Sequence, residues 1–140
     1  MKSFKPKNIL NTNSNQPLRL IPLGGVGDVT KNMYVYEYGS DIIIVDCGVG
    51  FPDEAMPGVD LVIPDISYLR DKKDKIRGIL ITHGHEDHIG SLPYLWPELQ
   101  NVPIYTQKLT AGFIRAKFTE HNLPKNKIIE VNFNQSLDLG

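Results

Sequence analysis

The sequence predicts an α/β fold, and three observations carry that expectation. Short β-branched runs such as "DIIIVDCG" and "RGILIT" recur along the 140-residue chain. From residue 61 onward they alternate with segments of helical periodicity. Three of the four histidines fall within six residues, directly after one of these runs. Open α/β sheets place their sites at such strand ends.

Each element follows from local chemistry. "MKSFKPKNILNTNSNQP", residues 1–17, is rich in Asn, Ser and Lys and predicts a flexible leader. It lacks the apolar core of a signal peptide. "RLIPLGG" predicts a strand ending in a glycine turn. "MYVYEYG" alternates and predicts a strand with Val35 and Glu37 on one face, the tyrosines Tyr34, Tyr36 and Tyr38 giving a mixed pattern. Gly39-Ser40 suits a two-residue hairpin turn into "DIIIVDCG", a run expected to be buried on both faces. "VGFPDEAMPGVD" carries Pro and Gly and predicts a loop. "LVIPDISYLRDKKDKI" predicts an extended piece and then a short helix capped by Asp65. "RGILIT" predicts a buried strand. "IGSLPYLWPELQ" predicts irregular helix, because Pro93 and Pro97 fit only near helix ends or at a kink. "VPIYT" predicts a strand. "QKLTAGFIRAKFTEHN" is the clearest helix, with Leu109, Phe113 and Ala116 on its expected inner face. "KIIEVN" predicts a further strand, and "SLDLG" the start of another. The chain ends at Gly140 without a terminal helix, which points to truncation of a larger protein.

Composition narrows the function classes. Hydrophobic residues make up 41%, charged residues 22%, and the net charge is −1. These are ordinary values for a soluble domain. They give no bulk-charge argument for a nucleic-acid partner, though a local patch can sit on a neutral protein. The single cysteine, Cys47, excludes an intramolecular disulfide, fits a reducing cytoplasm and follows a strand as a small buried hydrophobe would. No apolar run is long enough to cross a bilayer, so no membrane partner is expected.

The chemistry lies in His83-Gly84-His85-Glu86-Asp87-His88, the pattern H-x-H-x-D-H. Imidazole nitrogens with a carboxylate are the donors that borderline divalent cations prefer. Alternate residues of an extended loop point the same way, so His83 and His85 suit one ion. Asp87 and His88 lie past a bend and suit a second. Two ions roughly 3.5–4 Å apart clamp both oxygens of a displacement at phosphorus. Asp87 and His88 are the candidate catalytic residues. His121, at the far end of the clear helix, is expected to be a partner of the helix dipole and not a ligand.

At these residues the chain resembles the metallo-β-lactamase superfamily. "PLGGVGDVTKNMYVYEYG", "IIIVDCGVGFPDEAMPGVDLVIPDISYL" and "KIRGILITHGHEDHIGSLPYL" narrow the likeness to the ribonuclease J family of β-CASP ribonucleases, from about Leu20 to Leu123. The resemblance implies that residues 18–140 form the N-terminal part of an αββα sandwich. A β-CASP domain and a C-terminal domain would follow in the family. It implies hydrolysis of RNA phosphodiesters, as a 5′-to-3′ exonuclease and an endonuclease in RNA maturation and decay, and a homodimer or homotetramer. His83 and His85 match ligands of the first metal, and Asp87 and His88 those of the second. Asp46, in "VDCG", matches an acidic residue that supports a ligand histidine, although a plain strand-end turn carboxylate accounts for it equally. The two divalent ions are expected to be zinc, with manganese or magnesium as alternatives. The family's remaining ligands lie beyond residue 140, so the isolated chain is expected to be inactive.

The glycine loop departs from the family's G-G-V-G-E-I-G-K-N. Here Asp28 stands for Glu and Thr30 for Gly, and Thr30 adopts positive φ less readily. Gly25-Val26-Gly27 lacks the third glycine of a dinucleotide fingerprint and precedes a strand. A turn that brings backbone toward the site rim is the reading preferred, with a plain tight turn as the alternative. Two other functions stay open at this point: hydrolysis of a small ester by another member of the superfamily, and a metal- or RNA-binding module without catalysis.

Overall fold

The computed structural model describes residues 16–140, so the leader, but for its last two residues, lies outside the described residues. Six strands form one sheet in the order β1-β2-β3-β4-β5-β6. They are β1 (Arg19–Gly24), β2 (Met33–Tyr38), β3 (Asp41–Val45), β4 (Ile76–Leu80), β5 (Ile104–Thr106) and β6 (Ile128–Glu130). The first three pair antiparallel and the last three join parallel to β3 and to one another. Hairpins need few linking residues, whereas parallel neighbours need crossovers, and the helices lie in those crossovers. A 3₁₀ helix (Ser67–Lys75) leads into β4. The short helices α1 (Glu86–Ile89) and α2 (Leu92–Leu95) lead toward β5, and α3 (Lys108–Glu120) links β5 to β6. No helix among the described residues is long and apolar enough to cross a membrane.

One row of side chains shows how the core is built. Ile21, Val35, Ile44, Ile79, Ile104 and Ile128 are paired in turn across all six strands. Because side chains alternate along a strand, all six share one face. Leu69, Leu92, Leu95, Trp96, Ile114 and Phe118 belong to the same buried core. The row beside it, Tyr34, Val45, Leu80, Tyr105 and Ile129, looks the other way and is only partly covered.

This corrects the expectation that β3 is buried on both faces. Ile42 and Ile44 are fully buried, while Ile43 and Val45 are half-buried. Helical cover reaches one face, and a β-branched run carries no mark of which face is covered. The helix α3 forms where expected, but with the other face inward. Thr110, Ala111, Ile114 and Phe118 are buried, whereas Leu109 is 73% and Phe113 51% exposed. The helix has two apolar stripes at helical spacing, and periodicity does not choose between them. The choice falls to Phe118, which packs against Trp96 at 4.9 Å between ring centres.

Smaller details also differ. Asp65 does not cap the 3₁₀ helix directly. It accepts hydrogen bonds from the Ser67 amide at 2.8 Å and the Ser67 hydroxyl at 2.6 Å, one residue earlier than expected. Residues 136–140 form no strand. The hairpin at Gly39-Ser40 forms as expected, with Tyr38 paired to Asp41 and Gly39 at φ +59°. Pro93 sits in the first turn of α2, where its missing N–H has no helical partner to lose. Glu37 is buried on the core face of β2. Its carboxylate takes hydrogen bonds from Lys72 at 2.8 Å and from the Tyr68 hydroxyl, tying the 3₁₀ helix to the sheet.

Candidate metal centre

The site is built where three backbone segments cross. After β3 the chain runs through residues 46–49 beside the start of α1. Cys47 N–H donates to the His88 carbonyl at 2.8 Å, and Val49 N–H to the Glu86 carbonyl at 3.0 Å. From the other side the glycine loop enters. Asn32 N–H donates to the Asp87 carbonyl, and Gly48 N–H to the Asn32 carbonyl, both at 2.9 Å. Gly48 is the closest point of this crossing. A β-carbon there would overlap the Asp87 carbonyl and stand 2.8 Å from the Asn32 nitrogen. The Ser91 hydroxyl closes the lattice on the Gly48 carbonyl at 2.6 Å.

This backbone frame brings the four predicted side chains together as two pairs. His83 Nε2 lies 3.2 Å from His85 Nδ1. His88 Nε2 lies 3.3 Å from the Asp87 carboxylate. The rings of His83 and His88 are 4.0 Å apart, so the pairs adjoin. Among the described residues no three His, Cys, Asp or Glu side chains converge as ligands of one ion would. Each pair holds two donors, half of a tetrahedral set.

The partners of the outer nitrogens show which ring atoms are left to face a metal, were one bound. His88 Nδ1 is 2.8 Å from Asp46 Oδ2, and His83 Nδ1 is 3.0 Å from the Thr82 hydroxyl. Thr82 directs its own hydroxyl to Asp46, at 2.9 and 3.0 Å from the two carboxylate oxygens. A carboxylate only accepts, so the proton of His88 sits on Nδ1. The Thr82 proton is engaged with Asp46, so the hydroxyl accepts from His83, whose proton is then also on Nδ1. That leaves Nε2 of both rings unprotonated, the His83 atom facing His85 Nδ1 and the His88 atom facing the Asp87 carboxylate and the Asn32 amide. Two acceptor atoms at 3.2–3.3 Å repel unless a cation or proton lies between them. Imidazole nitrogens and a carboxylate are the donor types that a divalent ion takes.

Asp46 is 3% exposed and takes the left-handed backbone conformation, φ +62°. That turn redirects the chain at the end of β3 and aims the carboxylate at the loop after β4, where it also accepts the Thr82 N–H at 2.8 Å. Cys47 is fully buried beside it, and burial pushes its thiol far above the usual range. It is the inert small hydrophobe that the sequence predicts. His121 ends α3, where its ring meets Tyr94 edge-on, and it takes no part in the cluster.

Sequence reasoning missed two residues. Thr82 directly precedes His83, and its hydroxyl links Asp46 to the metal loop. Asn32 stands at the end of the glycine loop and touches both Asp87 and His88. Adjacency to the motif could have flagged Thr82, but nothing local in the sequence flags Asn32. The loop does reach the site rim. Thr30 is not strained, because positive φ falls on Lys31 instead, and the Thr30 amide and hydroxyl both bind Asp28. From outside, the half-exposed Phe113 lies over Gly84. A β-carbon at that glycine would stand 2.5 Å from the ring, so a side chain there would displace Phe113.

Comparison with known proteins agrees with this architecture. A family model described as metallo-beta-lactamase superfamily matches residues 26–125. Ribonuclease J of Helicobacter pylori (strain ATCC 700392 / 26695) is 48% identical over 125 residues, which is 89% of this chain and 18% of that protein. Ribonuclease J 2 of Staphylococcus aureus (strain NCTC 8325) is 45% identical over 111 residues, 79% of this chain and 20% of that protein. The chain thus spans about a fifth of the length of these curated relatives. Among solved structures, the flavodiiron protein from Giardia intestinalis has a TM-score of 0.52 at 15% identity, covering 79% of this chain and 24% of that one. That likeness concerns the fold alone.

Proposed function

Because the chain belongs to the metallo-β-lactamase superfamily, a metal-dependent superfamily, we propose that it carries half of the metal centre of a ribonuclease that hydrolyses RNA phosphodiester bonds. One observation carries the reading. Two adjoining donor pairs at a strand end occur in a chain nearly half identical to proteins named ribonuclease J. Residues 18–140 are then the N-terminal part of the metallo-β-lactamase domain.

In this reading His83 and His85 hold one divalent ion, and Asp87 and His88 hold a second. An imidazole-rich set favours zinc, with manganese or magnesium as the alternatives. When bound, such ions lower the pKa of an attacking water and offset the charge that develops at phosphorus. The protein's own part is orientation. Asp46 keeps the His88 proton on Nδ1, and Thr82 does the same for His83, so that both Nε2 atoms stay basic. The same reading extends to 5′-to-3′ exonuclease and endonuclease activity in RNA maturation and decay, to a homodimer or homotetramer, and to the cytoplasm. With two donors per ion, the 140-residue chain alone is expected to turn over little RNA.

The test is cleavage of a 5′-monophosphorylated RNA by the full-length protein carrying Asp87→Ala. Loss of a ligand is expected to lower the rate about 100-fold or more. Unchanged cleavage would sink the nuclease reading.

A further inference from the structure

Asn32 is a polar residue with three of its five side-chain contacts on the metal loop. Its amide nitrogen lies 3.2 Å from the Asp87 carbonyl, 3.3 Å from Asp87 Oδ2 and 3.4 Å from His88 Nε2. The Val29 carbonyl is its one other acceptor, at 3.3 Å. Which end of an amide is nitrogen follows from its partners. Here the partners decide it. The Tyr34 hydroxyl, which also donates to the Gly25 carbonyl at 3.0 Å, lies 3.4 Å from Asn32 Oδ1. On the other side stand a carbonyl, a carboxylate and an imidazole lone pair, all acceptors. A flipped amide would set oxygen against oxygen. The space for Oδ1 comes from Gly25, since any side chain at that position would collide with it.

We infer that Asn32 is a positioning residue for the second metal pair, with the Asp87 carbonyl and carboxylate fixing the sense of its amide and Tyr34 standing behind Oδ1. The inference rests on the proposed metal site. A carboxylate on an exposed helix turn swings about its own side-chain bonds, and Asp87 has a third of its side chain exposed. Asn32 holds Oδ2 beside His88 Nε2 with one hydrogen bond and leaves that oxygen a second lone pair for an ion. The backbone bond from Asn32 N–H to the Asp87 carbonyl fixes the amide's own base, so the side chain and the loop act as one bracket. Asn suits the role because it donates without charge. Lys would place a cation where the ion goes, and Asp would set two carboxylates against each other.

The experiment is cobalt(II) titration of the full-length protein, followed by calorimetry for stoichiometry and by visible absorption for ligand geometry. Asn32→Leu keeps the backbone bonds and much of the volume but removes the donor. The ion on Asp87 and His88 is expected to lose about 10- to 100-fold in affinity, with a changed absorption band, while the other ion binds as before. Tyr34→Phe is expected to lose a fewfold at the same ion only, and it keeps the idea testable if Asn32→Leu folds poorly. Wild-type affinity and spectrum in both variants would overturn the inference. Asp87→Ala separates the two levels. If it loses one ion while Asn32→Leu and Tyr34→Phe bind as wild type, Asn32 has no positioning role. If Asp87→Ala itself keeps both ions, the metal-site reading fails, and the Asn32 role with it.

Discussion

Gly48→Ala tests the crossing on which the whole site rests. A methyl group at Gly48 would overlap the Asp87 carbonyl and press on the Asn32 nitrogen at 2.8 Å. Both obstacles are backbone, so no side chain can rotate away. The segments must part by more than about 1 Å, against the tight packing of protein interiors. That separation breaks the bonds between Gly48 N–H and the Asn32 carbonyl and between Asn32 N–H and the Asp87 carbonyl, and it strains those of Cys47 and Val49 to α1. Two or three lost bonds at about 1 kcal/mol each, with an overpacking cost of about 1–3 kcal/mol, give a total near 4 kcal/mol. In a urea titration that lowers the midpoint by about 2 M, taking a slope of about 2 kcal/mol/M. In any folded fraction, displacement of Asp87 and His88 weakens the metal pair beside them. A midpoint within about 0.3 M of wild type, together with unchanged metal affinity, would refute the argument that this crossing has no slack.

The remaining predictions use the same structure. Gly112 lies within α3 with open space where a β-carbon would go, so Gly112→Ala is expected to stabilise by about 0.5–1 kcal/mol, read as a raised urea midpoint. Glu37 is held below the usual carboxylate range, first by the Lys72 hydrogen bond and then by that of Tyr68. A depressed folded-state pKa means that its stabilisation is present above the unfolded value and lost as pH falls through the folded one. Stability of the wild type should therefore drop more steeply than that of Glu37→Gln below about pH 4.5, and parallel acid titrations by circular dichroism would expose the claim.

Much of the fold is legible because its signals are local. The β3 and β4 runs, the Gly39-Ser40 turn and the periodicity of α3 depend on residues a few positions apart. So do the donor atoms of His83, His85, Asp87 and His88, which lie within six residues of one another. Faces are less legible. Leu109 and Phe113 match the helical period as well as Ile114 and Phe118 do, and only the position of Trp96 across the core chooses between them.

What the sequence by itself determined is the inventory: the α/β order, the metal-seeking motif after β4 and the inert cysteine. What only the tertiary structure decided is the support. Asp46 and Asn32 lie 42 and 56 positions from His88 in the chain, yet their side chains bear on its two ring nitrogens. Neither carries a local mark of that role, because hydrogen bonds of this kind are made between loops that only the pairing of β2, β3 and β4 brings together. The physical reason is that donor identity is a property of a residue, whereas the direction of a lone pair belongs to its neighbours in space.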